Sequence, residues 1–412
     1  MLPDFQNTKI LFEKIKIQEK TIHNRIVFQP MEGCDANTDG APSAITAERY
    51  INFARSGAGI IWMEAVAVVD EGRANPRQLF LNATTADAFK KLVYDIKNTC
   101  VKENGYEPVI IIQATHSGRY SKPYGDKYRP LIAYNNPLFE ETPIDTSCIV
   151  SDDYLMRLED VFTDRAKLAA NAGFDGIDIK SCHRYLGSEL LSAYTRKGRY
   201  GGDFENRTRF LTNCVNNIRA ISEEDFIVTT RLNMYDGFPY PYGFGVTEKD
   251  KTEPNFAEGV TLLAKLKLPL VNISIGNPYV NPEVNRPSNS VLQSIEKFEA
   301  AVSRLLMAAQ AASAVQGTAV VCSGLSGLKA RAPYVAAGAI KEGYCHLAGF
   351  GRMTFAYPDF VKDIQTGLAS GKCCLTCGKC SELMRAGSMA GCVIRNKFYL
   401  DLYQKEVINR KL

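Results

Sequence analysis

The chain has 412 residues, a formal net charge of +4, 45% hydrophobic and 23% charged residues, the balance of a folded globular protein and not of a disordered one. It contains no block of like charge that would mark a nucleic-acid surface, and no run of about 18 apolar residues that would span a membrane. The opening stretch Met1 to Lys20 mixes Asp, Lys and Glu with apolar residues, unlike a signal or transit peptide, so a cytoplasmic setting is expected.

In chain order, apolar runs bounded by turn residues read as strands at Ile26–Phe28, Gly59–Glu64, Val109–Gln113, Gly176–Ile179, Phe226–Arg231, Leu270–Ser274, Ala319–Ser323 and Tyr344–Ala348. Helix-like stretches fall between them at Ala44–Ser56, Thr85–Glu103, Asp152–Ala172, Arg207–Ile221, Phe256–Leu266 and Ser290–Val315. Eight strand–helix units predict an α/β chain folded as a (β/α)8 TIM barrel over 1–365, with a short C-terminal cysteine-rich segment over 366–412. An open doubly wound sheet fits less well, because no dinucleotide-binding glycine fingerprint follows the first strand.

Chemistry is expected at the C-terminal ends of the strands, where loops on a rigid scaffold face solvent and ligand. There the fourth strand runs directly into Lys180-Ser181-Cys182-His183-Arg184-Tyr185, three proton-handling side chains at one strand end; a polar surface loop is the bland alternative. The first strand ends in Gln29-Pro30-Met31 and continues as Glu32-Gly33-Cys34, the third runs into Gln113-Ala114-Thr115-His116-Ser117-Gly118-Arg119, and the fifth ends in Thr230-Arg231-Leu232-Asn233. The last two strands lead into Ser323-Gly324-Leu325 and Gly349-Phe350-Gly351-Arg352. Glycines let backbone N–H groups approach a phosphate closely, Arg352 adds a bidentate grip, and barrels often hold phosphate after these two strands.

Twelve cysteines are many for a reducing compartment, where they serve as thiols or metal ligands more often than as disulfides. Cys374-Leu-Thr-Cys377-Gly-Lys-Cys380 and the later Cys392 gather four thiolates in one tail, with Cys373 as a redundant neighbour. Such a set binds either a [4Fe-4S] cluster or structural zinc, although a zinc ribbon more often shows two separated pairs.

Taken with Tyr200-Gly201-Gly202-Asp203-Phe204-Glu205-Asn206-Arg207, these stretches resemble the Old Yellow Enzyme-like NADH:flavin oxidoreductase family, in its 2,4-dienoyl-CoA reductase and trimethylamine dehydrogenase branch. The resemblance runs from about Lys9 to Cys392 and implies FMN on the barrel. By it, Pro30 and Met31 lie beside the flavin, Gln113 bonds the pyrimidine edge, Arg231 lies near N1 and O2, and Gly324, Gly351 and Arg352 cradle the phosphate. It also implies that Lys180 and His183 grip a substrate carbonyl oxygen, and that Tyr185 protonates the α-carbon after hydride reaches the β-carbon. Two donors suit the charge that collects on that oxygen, and a phenol of pKa about 10 is a competent acid towards carbon. At Cys374, Cys377, Cys380 and Cys392 it implies a [4Fe-4S] cluster, with Cys373 the other choice for the first ligand.

The chain departs from the family pattern at several positions. Glu32 stands where many relatives place Cys or Thr, and Lys180 stands where amine-oxidising relatives have Tyr, so a bare cation there would repel a protonated amine. Asn277 and Tyr279 replace a protonating His of dienoyl-CoA reductases, and His116 is left without a role. The expected function is therefore FMN-dependent reduction of a C=C bond conjugated to a carbonyl, in an enone or enoate. The aromatic insertion Asp236 to Gly245 either roofs the substrate site or packs as a long βα loop, and the aromatic loop Tyr235 to Phe244 hints at a bulky flat ligand such as a steroid or polyphenol. The FAD and NAD(P)H module that follows the cluster in long relatives is missing from this sequence, so electrons are expected from NAD(P)H docking over the flavin or from a partner carrier protein. A homo-oligomer is left open. The competing readings are an oxidative amine dehydrogenase or demethylase passing electrons out through the cluster, and a zinc-stapled barrel used for binding.

Overall fold

A computed structural model describes residues 2–125, 127–140, 142–285, 287, 295–367 and 371–409. Eight strands, β1 (Ile26–Phe28), β2 (Ile60–Ala67), β3 (Val109–Thr115), β4 (Gly176–Ile179), β5 (Ile227–Asn233), β6 (Leu270–Ser274), β7 (Ala319–Cys322) and β8 (Leu347–Phe350), pair in parallel and in order, and β8 returns to β1 to close the barrel. Around it run α1 (Ala44–Ser56), α2 (Ala86–Asn104), α3 (Asp152–Asn171), α4 (Phe204–Arg219), α5 (Ala257–Leu266), α6 (Ile295–Ser313), α7 (Ala332–Lys341) and α8 (Phe360–Thr366). Local chemistry sets several of their ends. Ser43 and Thr46 form a capping box on α1, Ser151 Oγ accepts from Tyr154 N–H at 3.1 Å on α3, and Asp203 accepts from Asn206 N–H at 2.8 Å on α4. Each such cap contributes about 1 kcal/mol.

The barrel interior changes character along its axis. At the N-terminal end an antiparallel hairpin, Ile15–Ile17 with Lys20–Ile22, presses Ile17 and Ile22 against Val27, Ile60, Ile111, Ile227 and Leu347 in one apolar cluster. Inward-facing residues two positions further along the strands are polar. Trp62 Nε1 and Gln113 Nε2 both donate to Asp178 Oδ2, at 2.8 and 2.6 Å, and Asn272 Nδ2 donates to Gln29 Oε1 at 2.9 Å. Apolar plug below and polar layer above give the barrel one end suited to stability and one suited to a polar ligand.

Element positions differ from expectation in a few places. The eighth strand begins at Leu347, not Tyr344, because Tyr344 N–H turns back to Ala339 O at 2.8 Å and closes α7. It runs through Gly349, where any Cβ would lie 2.1 Å from Gln29 Nε2. Helix α4 starts at Phe204, three residues early, under its Asp203 cap, and α7 was not anticipated at all. Of the expected helix Ser290–Val315, residues 290–294 lie outside the described residues.

Beyond α8, residues 371–409 carry two short helices, Lys379–Arg385 and Lys397–Tyr403, packed through Leu383, Val393, Tyr399, Tyr403 and Val407. Ala390 N–H donates to Gly33 O at 2.7 Å and Arg77 Nη2 to Gly387 O at 2.6 Å, fastening this segment over the C-terminal end of the barrel. Among the described residues, no helix is long and apolar enough to cross a membrane.

Candidate active site

One cleft of ≈1130 Å³, counting its solvent-open mouth, lies at the C-terminal ends of the strands. Pro30, Met31 and Gln113 line it, as do Arg231 and the group Gly324, Gly351 and Arg352, so every residue expected at the cofactor faces the same space. Lys180 and His183 line it too. Tyr185 does not reach the cleft surface. It is 1% exposed, and its hydroxyl donates to Glu32 Oε1 at 3.1 Å and meets Tyr279 Oη at 3.0 Å. Glu32 and Tyr279 are the groups that face the cleft there.

The loop after β1 is held stiffly. Gly33 N–H donates to Glu64 Oε2 at 2.8 Å, while Arg49 Nη2 bonds Asp35 Oδ1 at 2.8 Å and Glu64 Oε1 at 2.7 Å, all in the protein interior. Glu32 therefore projects from a loop clamped just beyond it. Its Oε1 also lies 3.4 Å from Lys180 Nζ, and that ammonium sits 3.5 Å from the centroid of the Tyr185 ring. Lys180 is thus a paired cation, which removes the argument that it would repel an amine. Burial pushes the Tyr185 phenol well above its ordinary range, and the Glu32 carboxylate raises it further, so the phenol keeps its proton.

The turn after β4 is strained. His183 and Arg184 both occupy the left-handed region, with φ of 64° and 60°, which side chains other than glycine seldom adopt. Arg184 is fully buried and holds the turn in place: its guanidinium bonds Asp236 Oδ2 at 3.1 Å, Tyr134 Oη at 3.0 Å and the Ser192 hydroxyl. Asp236 in turn accepts from Phe244 N–H at 2.9 Å. The aromatic insertion is absorbed by this packing. No residue from Asp236 to Gly245 lines the cleft, so the hint of a steroid or polyphenol loses its basis. His116 is structural: Gly118 N–H donates to its Nδ1 at 3.0 Å, which leaves Nε2–H to donate to Tyr154 Oη at 2.9 Å.

The cleft residues fit FMN. Arg231 Nε, Gln29 Nε2 and Asn272 Oδ1 are buried without protein partners, and buried polar atoms of this kind require one. The two donors, on the cleft-lining Arg231 and Gln29, suit a heterocycle edge that presents acceptors, while Asn272, bonded to Gln29 Oε1, lies outside the cleft lining. At the opposite side Gly324 has φ of 81°, a conformation that opens the strand end to a close approach.

The cysteines form a second, smaller space of ≈400 Å³, lined by Cys373, Cys374, Cys377, Cys380 and Cys392. Arg352, Phe355 and Cys380 border both this space and the cleft. Burial raises the Cys374 and Cys380 thiols and Arg352 pulls them back, so a cation already stands where thiolates would form. Cys373 also lines a separate pocket beside Phe350 and Phe360. Among the described residues, no group of three or more His, Cys, Asp or Glu side chains is placed to hold a single metal ion.

Of the residues that matter here, sequence reasoning gave no role to Glu32, Tyr279 or Asp178. Glu32 was legible as a departure directly after the Pro30-Met31 turn; the Asp178 contacts link three separate strands and leave no local signal.

Comparison with known proteins agrees with this geometry. Residues 10–371 match the NADH:flavin oxidoreductase / NADH oxidase family. NADPH dehydrogenase of Clostridium acetobutylicum is 28% identical over 271 residues, covering 65% of this chain and 74% of that protein. NADPH dehydrogenase of Bacillus subtilis is 32% identical over 230 residues, covering 55% of this chain and 64% of that protein. Among solved structures, a 2-naphthoyl-CoA reductase in complex with 2-naphthoyl-CoA superposes with a TM-score of 0.75 at 18% identity, and histamine dehydrogenase from Rhizobium sp. 4-9 with 0.73 at 20%. Each covers 96% of this chain, which spans only 58% and 53% of theirs. An old yellow enzyme homologue from Zymomonas mobilis gives 0.63 at 21% identity, covering 87% of this chain and 92% of its own. By the family match over most of its length, the chain belongs to the NADH:flavin oxidoreductase / NADH oxidase family, a family of flavin oxidoreductases.

Proposed function

We propose that the protein reduces a C=C bond conjugated to a carbonyl, holding FMN in the barrel cleft and a [4Fe-4S] cluster at Cys374, Cys377, Cys380 and Cys392. The observation that carries this reading is the cleft on which Gln113, Arg231 and Arg352 converge with Lys180, His183 and Tyr279, whose hydroxyl meets that of Tyr185 just behind the surface at 3.0 Å. Bound FMN would supply the hydride. Gln113 and Arg231 would hold its ring edge, Gly324, Gly351 and Arg352 its phosphate, and Pro30 and Met31 would lie beside it. Lys180 and His183 would polarise the substrate oxygen, since two donors aimed where negative charge collects lower the barrier. Tyr185, kept protonated by burial, would supply the proton for carbon, with Glu32 and Tyr279 linking its hydroxyl to the cleft.

A [4Fe-4S] cluster would supply single electrons beside the cleft, where Cys380 borders both spaces. Zinc draws four sulfurs to within about 4 Å of one another through its ~2.3 Å bonds. The spacing favours the wider cluster, since three close cysteines and a distant fourth differ from the two separated pairs more usual in a zinc ribbon. NAD(P)H, or a partner carrier protein, would be the electron source. A reducing, cytoplasmic setting accords with twelve cysteines, which there serve as thiols or metal ligands more often than as disulfides.

One observation favours a second reading, oxidative amine dehydrogenation. Glu32 and Tyr279 both line the cleft and both meet Tyr185 Oη, at 3.1 and 3.0 Å, so a carboxylate and an aromatic ring are available there to an ammonium. Anaerobic half-reactions separate the two: an enone reoxidises the reduced flavin in the first, and an amine bleaches the oxidised flavin in the second. For the first reading, Tyr185→Phe slows reoxidation by enone roughly 10²–10⁴-fold and spares reduction. Equal slowing of both half-reactions sinks the assignment.

A further inference from the structure

We infer that Glu32 sets the charge selectivity of the cleft, admitting uncharged unsaturated carbonyl compounds and turning away free carboxylates. The inference rests on the reading of this cleft as the substrate site and narrows its substrate class from enone or enoate to the uncharged member. Among the described residues, four charged side chains line the cleft: Glu32, Lys180, Arg231 and Arg352. The two arginines belong to the cofactor end, which leaves Lys180 and Glu32 to face the substrate. Their side chains are 2% and 15% exposed and 3.4 Å apart, so the ammonium is already neutralised inside the protein. Glu32 cannot easily swing away, because Gly33 N–H is bonded to Glu64 and Asp35 to Arg49.

A carboxylate entering here has two routes, both costly. It must either lie beside the Glu32 carboxylate or displace it from Lys180, leaving a half-buried charge without its partner. A neutral carbonyl meets neither obstacle, since an ammonium has three N–H donors and can bond it while keeping Glu32. The same residue accepts from Tyr185 Oη at 3.1 Å, so the group that excludes anions also holds the phenol in place.

The test is calorimetric titration of the FMN-loaded protein with trans-cinnamate and with the methyl ketone of the same carbon skeleton. The wild-type protein binds the ketone at least about tenfold more tightly, and Glu32→Gln moves the ratio of affinities roughly tenfold or more towards cinnamate, about 1.4 kcal/mol per tenfold. Glu32→Asp, which keeps the charge, retains the wild-type preference, and FMN content confirms that each variant is folded. The inference is overturned by an unchanged ratio in Glu32→Gln, by a wild-type preference for cinnamate, or by no binding of either compound to any of the proteins. Reoxidation of the reduced flavin by the ketone reads the ene-reductase assignment separately: its failure alongside the expected binding pattern removes the reaction and spares the charge rule.

Discussion

The barrel and the segment over 371–409 hold themselves together by different means. The barrel closes its sheet on itself, plugs one end with Ile17 and Ile22, and buries an apolar layer beneath its polar floor. The C-terminal segment has five buried residues in its own apolar cluster, Leu383, Val393, Tyr399, Tyr403 and Val407, and Cys373, Cys374 and Cys392 pack on the edge of the barrel core. Pieces below about 40 residues rarely bury enough to fold alone and usually need a metal, a disulfide or a partner. The barrel therefore presents its site through its own packing, whereas on the proposed reading the segment leans also on the group its cysteines would hold.

Removing that support breaks the comparison most sharply. Cys377→Ser combined with Cys392→Ser empties the segment of iron and exposes residues 371–409 to protease and hydrogen exchange, while the barrel keeps its FMN. Unchanged protection of the segment would show that apolar packing alone suffices. On the barrel side, Arg184→Ala strips the partner from Asp236, both fully buried, and costs about 3–5 kcal/mol in denaturant unfolding of the barrel. Iron content in the still-folded protein stays intact, which sets this loss apart from the cysteine variant. A cost below about 1 kcal/mol would mean that water reaches the Arg184 pocket.

The smallest effect is read through acid. Burial holds the His116 imidazole down to about 3, so it stays neutral in the folded chain while the unfolded chain takes up a proton near pH 6.5. Its contribution to stability is complete above about pH 6.5 and is lost as pH falls towards 3, at up to about 1.4 kcal/mol per pH unit. His116→Gln flattens that slope in unfolding measured from pH 7 to pH 4. An identical slope in the variant would place the acid sensitivity elsewhere.

The eight strands were legible because each is a short apolar run between turn residues, and five of them begin at the residue expected. Tyr344 misled because its N–H closes the end of α7 on Ala339 O, a contact that periodicity does not encode. Among the site residues, Gln113, Arg231 and the strand-end glycines were legible as a set in register along the chain. The partnership of Lys180 with Glu32 was not, since 148 positions separate the two and only barrel closure brings them together. The strain at His183 and Arg184 was equally hidden, because the buried Asp236 that holds it comes from an insertion that reads as an aromatic loop.

The central claim is that the two spaces hold two different cofactors. Anaerobic purification, with an absorption spectrum and assays of FMN, iron and sulfide on the same sample, tests it most directly. The account predicts one FMN and about four irons with matching sulfide per chain. One zinc per chain without iron would contradict the cluster, and a colourless protein that takes up no FMN would contradict the account of the cleft itself.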